Sequence, residues 1–386
     1  MFKGLTLNVL ALGFTSLLTD VSSEMIFALL PFFMVNILRI EMAFVGFIEG
    51  AAEAVSSLLK VYSGWLSDKM RRRKPFAVLG YSISTISKPF FALASSAFHV
   101  LAVRILDRIG KGVRTSPRDA LIADSISEEV RGKAYGFHRS MDTAGAIAGP
   151  LLAFLLLPIL GYRGVFLASV LPGAGSVLLL VILVRETGLH LRGGRRERVS
   201  LALKEDIGRK FKAYIASVVL YTLGNFSYAF FLLRAGELGV ATRVAPLLYL
   251  LFNIVYAGTA FPVGSLADRI GKRRMLALGY VSFALTCLGF AAADKSAYAI
   301  LLFIAYGGSY AIADTLQRAI VPDLVEPQVR GSAFGVLHTA TGLAALPSSI
   351  MAGALWQVYG AAVPFIMSAA LSIAAVAIMT ITLRGS

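Results

Sequence analysis

The chain has 386 residues, 57% of them hydrophobic and 15% charged, with a mean hydropathy of +0.75. A soluble protein of this length carries roughly a quarter charged residues, so the composition excludes a globular domain with a single anchor and points to a polytopic membrane protein. The formal net charge of +15 lies mostly in short basic runs between apolar segments, which argues against a nucleic-acid partner.

At about 20 residues per span, the pattern predicts twelve helices near 5–38, 42–67, 75–95, 98–122, 133–158, 162–184, 212–234, 242–266, 275–293, 296–320, 332–357 and 361–383. The first contains LLTDVSSEMIF, which sets Asp20 and Glu24 one helical turn apart in an apolar run. It is too long for a signal h-region and lacks a small-residue cleavage site, so a retained first helix is expected. An acid in hydrocarbon costs several kcal/mol and reads by default as functional. Segment 2 repeats the spacing with Glu49 and Glu53, and segment 3 holds Lys88.

Segment 4 is the most charged. In LAVRILDRIGKGVRTSPRDALIAD, residues Arg104, Asp107, Arg108, Lys111, Arg114 or Thr115, and Arg118 recur every three or four positions. Such a stripe cannot face lipid and must face water or protein. At 1.5 Å per residue, Asp20 lies roughly 18–22 Å from the start of segment 1, and Arg104 and Arg108 fall within about a turn of that level. These groups either form fixed ion pairs, or the two acids titrate as a coupled pair. Segment 5 adds Arg139 and Asp142. In the less charged second half, Asn225, Tyr228, Asn253, Tyr256, Asp314, Gln317 and Arg318 are the candidates to shape the opposite wall.

Basic runs mark alternate connections: KMRRRK at 69–74, the stretch from Arg185 to Lys212, and RIGKRR at 269–274. The positive-inside rule therefore places both termini and the central loop in the cytoplasm. The expected organisation is a first six-helix bundle at 1–184, a basic linker at 185–212 and a second bundle at 213–386. The halves repeat. GWLSDKMRRRK at 64–74 aligns with GSLADRIGKRR at 264–274, and LIADSISEEVRGKAYG at 121–136 aligns with AIVPDLVEPQVRGSAFG from Ala319, both at offsets of 199 or 200. Parallel halves imply a substrate site between them at the midplane.

The spacing G-x-x-x-D-[RK]-x-G-[RK]-[RK] after segments 2 and 8 resembles the loop signature of the major facilitator superfamily. Gly64, Asp68, Lys69, Arg72 and Arg73 fit the first copy, with Arg71 where glycine is expected. Gly264, Asp268, Arg269, Gly271, Lys272 and Arg273 fit the second at every position. The resemblance implies that these loops gate the cytoplasmic side, and that helices 1, 4, 7 and 10 surround a central cavity. Segment 5 is similar to the family's antiporter signature through Gly136, Gly145, Gly149 and Pro150, with Ala153 and Phe154 replacing its last glycines. Arg104 matches the arginine of the family's helix 4 signature R-x-x-Q-G, whereas Asp107 and Arg108 depart from it.

The expected protein is an all-α membrane protein with two pseudo-symmetric six-helix bundles. It is read as a secondary transporter working by alternating access, a proton-coupled antiporter exporting a small solute such as a drug or metabolite. The rival within transport is a symporter importing a small organic anion; a non-transporting scaffold or receptor is the rival of another class. Asp20 and Glu24 would carry protons; Arg104, Asp107, Arg108, Lys111, Asn225, Tyr228, Asn253 and Asp314 would line the solute site. The scattered histidines, the absence of a G-x-x-x-x-G-K-[ST] loop and of HExxH lead to an expectation of no metal, no cofactor and no enzymatic activity. A small solute, protons and the lipid bilayer are the expected partners, for a monomer in the plasma membrane.

Overall fold

A computed structural model describes residues 5–127, 130–186, 208–326 and 330–382, and every regular element among them is helical. Among the described residues twelve long helices run in chain order: α1 (Leu7–Ile37), α2 (Met42–Met70), α3 (Lys74–Leu93), α4 (Ala97–Asp124), α5 (Arg131–Ala168), α6 (Val170–Leu183), α7 (Lys210–Glu237), α8 (Ala245–Ile270), α9 (Lys272–Ala292), α10 (Ala297–Ala319), α11 (Arg330–Tyr359) and α12 (Ala362–Thr382), with a single helical turn at Val321–Leu324 after α10. Ten segments are long and apolar enough to cross a membrane. One of these, Lys133–Leu183, is 51 residues long and is split by Gly161 at φ 62°, while α4 is too charged to be among the ten. Both facts are consistent with twelve spans.

Local chemistry sets the ends. Thr6 accepts from the Val9 N–H at the start of α1, Ser96 accepts from the His99 N–H at the start of α4, and Pro75 opens α3. Where the expected motif glycine is replaced, Arg71 adopts φ 54°; its counterpart Gly271 sits at φ 100°. The loop thus requires a left-handed residue in both copies, which is what the glycine supplies at no steric cost.

Contacts divide the chain into two compact units. The first comprises Met1–Ile40, Ala51–Gly193 and Thr242–Leu250; the second comprises Glu41–Gly50, Gly194–Ala241 and Leu251–Ser386. The sequence expectation had no such interleaving. Most of the expected linker, residues 187–207, lies outside the described residues.

The same packing scheme recurs in each unit. In the first, α1 packs on α5 and α6, and α3 packs on α4 and α6; in the second, α7 packs on α11 and α12, and α9 packs on α10 and α12. Both α1 and α7 are interrupted near the middle, at 28–29 and at 225–227. The cores differ in chemistry. An apolar cluster in the first unit, including Val9, Leu12, Tyr81, Leu121 and Leu180, packs at one end of a charged interior. The second is filled by aromatic rings: Tyr221 stacks on Tyr280 at 4.1 Å, and Phe231 on Tyr306 at 4.0 Å.

Helices α3 and α4 pack closely where glycine meets glycine. A Cβ added at Gly110 would lie 2.6 Å from the Gly80 carbonyl oxygen and 2.7 Å from the Ser84 nitrogen. We expect Gly110→Ala to cost about 1–3 kcal/mol through overpacking. Gly308→Ala, with nothing within 4 Å, should be neutral or stabilising by up to about 1 kcal/mol through helix propensity. Thermal unfolding of the two purified variants checks the opposite signs.

Candidate functional site

The acids of α1 lie where α5 comes closest. Cβ atoms added at Gly145 and Gly149 would stand 2.7 Å from Asp20 Cβ and 2.6 Å from Glu24 Cβ, with the Leu17 and Val21 carbonyls at 2.6 and 2.8 Å. Two motifs singled out separately in the sequence therefore meet, and the α5 glycines form the floor under the acid-bearing face of α1. Pro150 is buried beside them, whereas Gly136 is exposed with open space around it. Asp20 and Glu24 are half-buried. The charges acting on Asp20 come from Asp142 of α5, from Glu24, and from Arg114 and Lys111 of α4. Glu24 is hydrogen-bonded by Tyr249 and lies in the field of Lys111, Arg108 and Arg104, while its buried Oε2 has no hydrogen-bond partner. Asp142 accepts from Ser16 Oγ and has His138 Nδ1 at 3.5 Å from its other oxygen.

The stripe on α4 is turned into the first unit. Arg104 is fully buried with its guanidinium 3.9 Å over the Phe27 ring, and Arg108 lies 5.1 Å from the same ring. Arg108 approaches Glu53 of α2 at 3.8 Å, and its Nε has no partner. Arg114 is 5% exposed, stacks 4.6 Å over Tyr81, and also has an unpartnered nitrogen, Nη1. Lys111 is half-buried and interacts with Arg108, Glu53, Lys60 and Asp20. Asp107 is buried and accepts from Ser84 Oγ of α3. Arg114 and Lys111 are the cations that act on Asp20, and Arg104 and Arg108, the arginines placed near the level of the acids by the sequence, act on Glu24.

In the first loop, Arg73 bridges Asp68 at 2.6 Å and Asp124 at 2.9 Å, and also donates to Ser67 Oγ. Burial opposes its charge, but the hydrogen bonds and charges of Asp68 and Asp124 prevail and hold the guanidinium pKa above its usual value. Glu186 accepts from the N–H groups of Arg73 and Lys74 and so caps α3. Arg72 is exposed, and Lys69 lies 5.1 Å from the Trp65 ring. A Cβ at Gly64 would meet Ser116 Cβ at 3.2 Å, so this glycine serves an α2–α4 contact; Gly264 has nothing within 4 Å. In the second loop Lys272 pairs with Asp323 at 2.8 Å, and Asp323 stands 199 residues after Asp124. Arg269 is exposed and Arg273 half-buried, while the Asp268 side chain lies outside the described ones.

Among the second-unit candidates, Asn225 ends the first part of α7, and its buried Oδ1 has no partner. Tyr228 begins the second part, and Asn253 is half-buried on α8. Asp314 accepts from Tyr256 at 2.8 Å and pairs with Arg318 at 2.6 Å. The residues omitted from the sequence-based site are Arg114, Asp142, Glu53 and Lys88, and at the loops Asp124, Asp323 and Glu186. The aligned repeat contained Asp124 and Asp323; nothing local marked Glu186.

A family model described as Major Facilitator Superfamily matches residues 12–233 and 213–385. An uncharacterised MFS-type transporter of Methanocaldococcus jannaschii is 37% identical over 363 residues, covering 92% of this chain and 90% of the relative. The class G tetracycline resistance protein of Vibrio anguillarum is 28% identical over 315 residues, 76% of each chain. The crystal structure of the nucleoside transporter NupG superposes with a TM-score of 0.79 at 15% identity, covering 98% of this chain and 99% of that one. A D-xylose-proton symporter superposes at 0.77 and 15% identity, over 96% of each.

Arg73 holds two carboxylates in a fork geometry that a point charge cannot reproduce. In Arg73→Lys, hydrogen exchange of the 71–74 amides should quicken at least about threefold. Because Asp68 is largely exposed, the loss in stability should stay below about 1 kcal/mol, as a thermal melt will show.

Proposed function

The chain belongs to the major facilitator superfamily and is a multi-pass transporter, and on that premise we propose that it is a proton-coupled antiporter that exports a small solute by alternating access. The observation that carries this reading is the placement of Asp20 and Glu24, half-buried and packed on Gly145 and Gly149 within reach of Asp142 and the α4 cations. Acids that repel one another and are also attracted by lysine and arginine can exchange a proton for modest changes in surroundings. The glycine floor matches the antiporter-like motif, and relatives that include a tetracycline resistance protein agree with efflux.

In this reading Lys111, Arg108 and Arg104 hold anionic groups of the solute or balance the acids. Asn225, Tyr228, Asn253 and Asp314 supply polar contacts from the second unit. The Arg73–Asp68–Asp124 and Lys272–Asp323 clusters serve as gates on the cytoplasmic side of the plasma membrane. A second reading, symport of a small organic anion, is favoured by the unpartnered guanidinium nitrogens of Arg108 and Arg114.

Proteoliposomes carrying an internal pH dye test both readings against a solute panel that includes tetracyclines and organic anions. Antiport predicts that a solute gradient drives protons the opposite way, and symport predicts the same way. We expect Asp20→Asn to lower solute-driven proton movement at least about tenfold, equivalent to about 1.4 kcal/mol on the coupled step. Wild-type proton movement in that variant removes Asp20 from the path.

A further inference from the structure

Lys88 has no part in the reading above, yet it is among the most enclosed charges of the first unit. It lies on α3 with 1% of its surface exposed. Its Nζ donates to Ser22 Oγ at 2.5 Å, and that hydroxyl donates onward to the Ser169 carbonyl between α5 and α6. Ser22 is two residues from both Asp20 and Glu24 on α1, on the face turned toward Gly173 of α6 while the acids face α5. One turn before Lys88, Ser84 donates to Asp107, which is 3% exposed on α4. The Gly80–Gly110 contact brings α3 and α4 close enough for that bond.

An ammonium shut away at this depth costs several kcal/mol and persists only where surrounding charges and acceptors compensate it. The charges acting on Lys88 are Asp107 and Arg114 of α4 and Asp20 and Glu24 of α1. The acids in turn meet Asp142 from α5, Lys111, Arg108, Arg104 and Arg114 from α4, and Tyr249 from the 242–250 segment. His138 flanks Asp142, and Glu53 and Lys60 act on Lys111. From α6 the corner receives an uncharged acceptor, the Gly173 carbonyl, which is bonded by Thr85.

We infer that Lys88 is a positioning residue for the Asp20–Glu24 pair: a buried amine that holds α1 through Ser22 and whose charge tunes the pH at which the carboxylates change protonation. It touches no solute. A cation held behind a carboxylate favours the ionised form, so neutralising Lys88 moves the protonation event to higher pH. Neutralising Asp107 strengthens the uncompensated field of Lys88 and moves it to lower pH. The inference rests on the proton-coupling reading.

The test uses full-length protein in lipid nanodiscs, with spin labels at Ser140→Cys and Thr339→Cys in a Cys287→Ser background. The populations of the inter-label distances are measured across pH, with no solute added. The expected result is a pH transition that Asp20→Asn with Glu24→Gln removes. Lys88→Gln should raise its midpoint by about half a unit or more, Asp107→Asn should lower it, and Lys88→Arg should restore the unsubstituted midpoint. An unmoved midpoint in Lys88→Gln, while the acid substitutions still abolish the transition, overturns the inference and leaves proton coupling standing. If Lys88→Gln does not fold, Asp107→Asn decides: a midpoint that stays or rises overturns the inference. A signal insensitive to pH, or a transition that survives the acid substitutions, removes both.

Discussion

Everything in the first unit answers to one constraint: α4 carries charge that hydrocarbon will not accept. Arg104, Arg108 and Arg114 are all at least nine-tenths buried, and Asp107 with them. In lipid each would cost several kcal/mol, so each must find rings, carboxylates or hydroxyls inside the protein. Phe27 and Tyr81 lie under guanidinium groups, Ser84 meets Asp107, and Glu53 approaches Arg108. The glycines at 80, 110 and 112 let α4 settle against α3 and α2 closely enough for short side chains to reach it. Charge dictates the packing here as much as apolar burial does.

The second unit meets a milder constraint with different material. The same helix partnerships recur, but stacked tyrosines and phenylalanines fill its interior. An ionic cluster near the end of α10, Asp314 with Arg318 and Tyr256, closes upon itself. The repeat therefore conserves architecture and the loop–acid pairing while letting the chemistry of the two halves diverge. In the first copy an arginine joins the ends of α2, α3 and α4, and among the described residues of the second a lysine at the start of α9 meets Asp323.

Much of the fold was legible in the sequence because lipid imposes a coarse rule that composition obeys. Apolar length, the offset of 199 or 200 residues and the two loop motifs carry the family and the helical architecture. The division at Gly161 falls where the sequence separates segments 5 and 6, whereas the helical course of α5 on to Ala168 and the breaks in α1 and α7 were not legible, since backbone geometry at a few residues leaves no hydropathy trace. For the site, the sequence singled out the acids, the stripe and the small residues, and depth arithmetic set Asp20 at the level of Arg104 and Arg108, whereas Arg114 and Lys111 are the cations acting on it. It could not choose which cations face which acid, because Arg104, Lys111 and Arg114 share one face of α4 and differ only in their level along it. Lys88, Asp142 and Glu186 act across helices, and such partners become visible only once the helices are assembled.

The glycine floor has a mechanical corollary. Where Gly145 and Gly149 bring α5 backbone against the Cβ atoms of Asp20 and Glu24, no clearance is left for one helix to slide past the other. The two must travel as a single slab, and whatever alters the water exposure of the carboxylates has to tilt that slab whole. Under the proton coupling proposed above, exchange of these carboxylates with water would then follow the collective motion of the two helices rather than side-chain rotation alone.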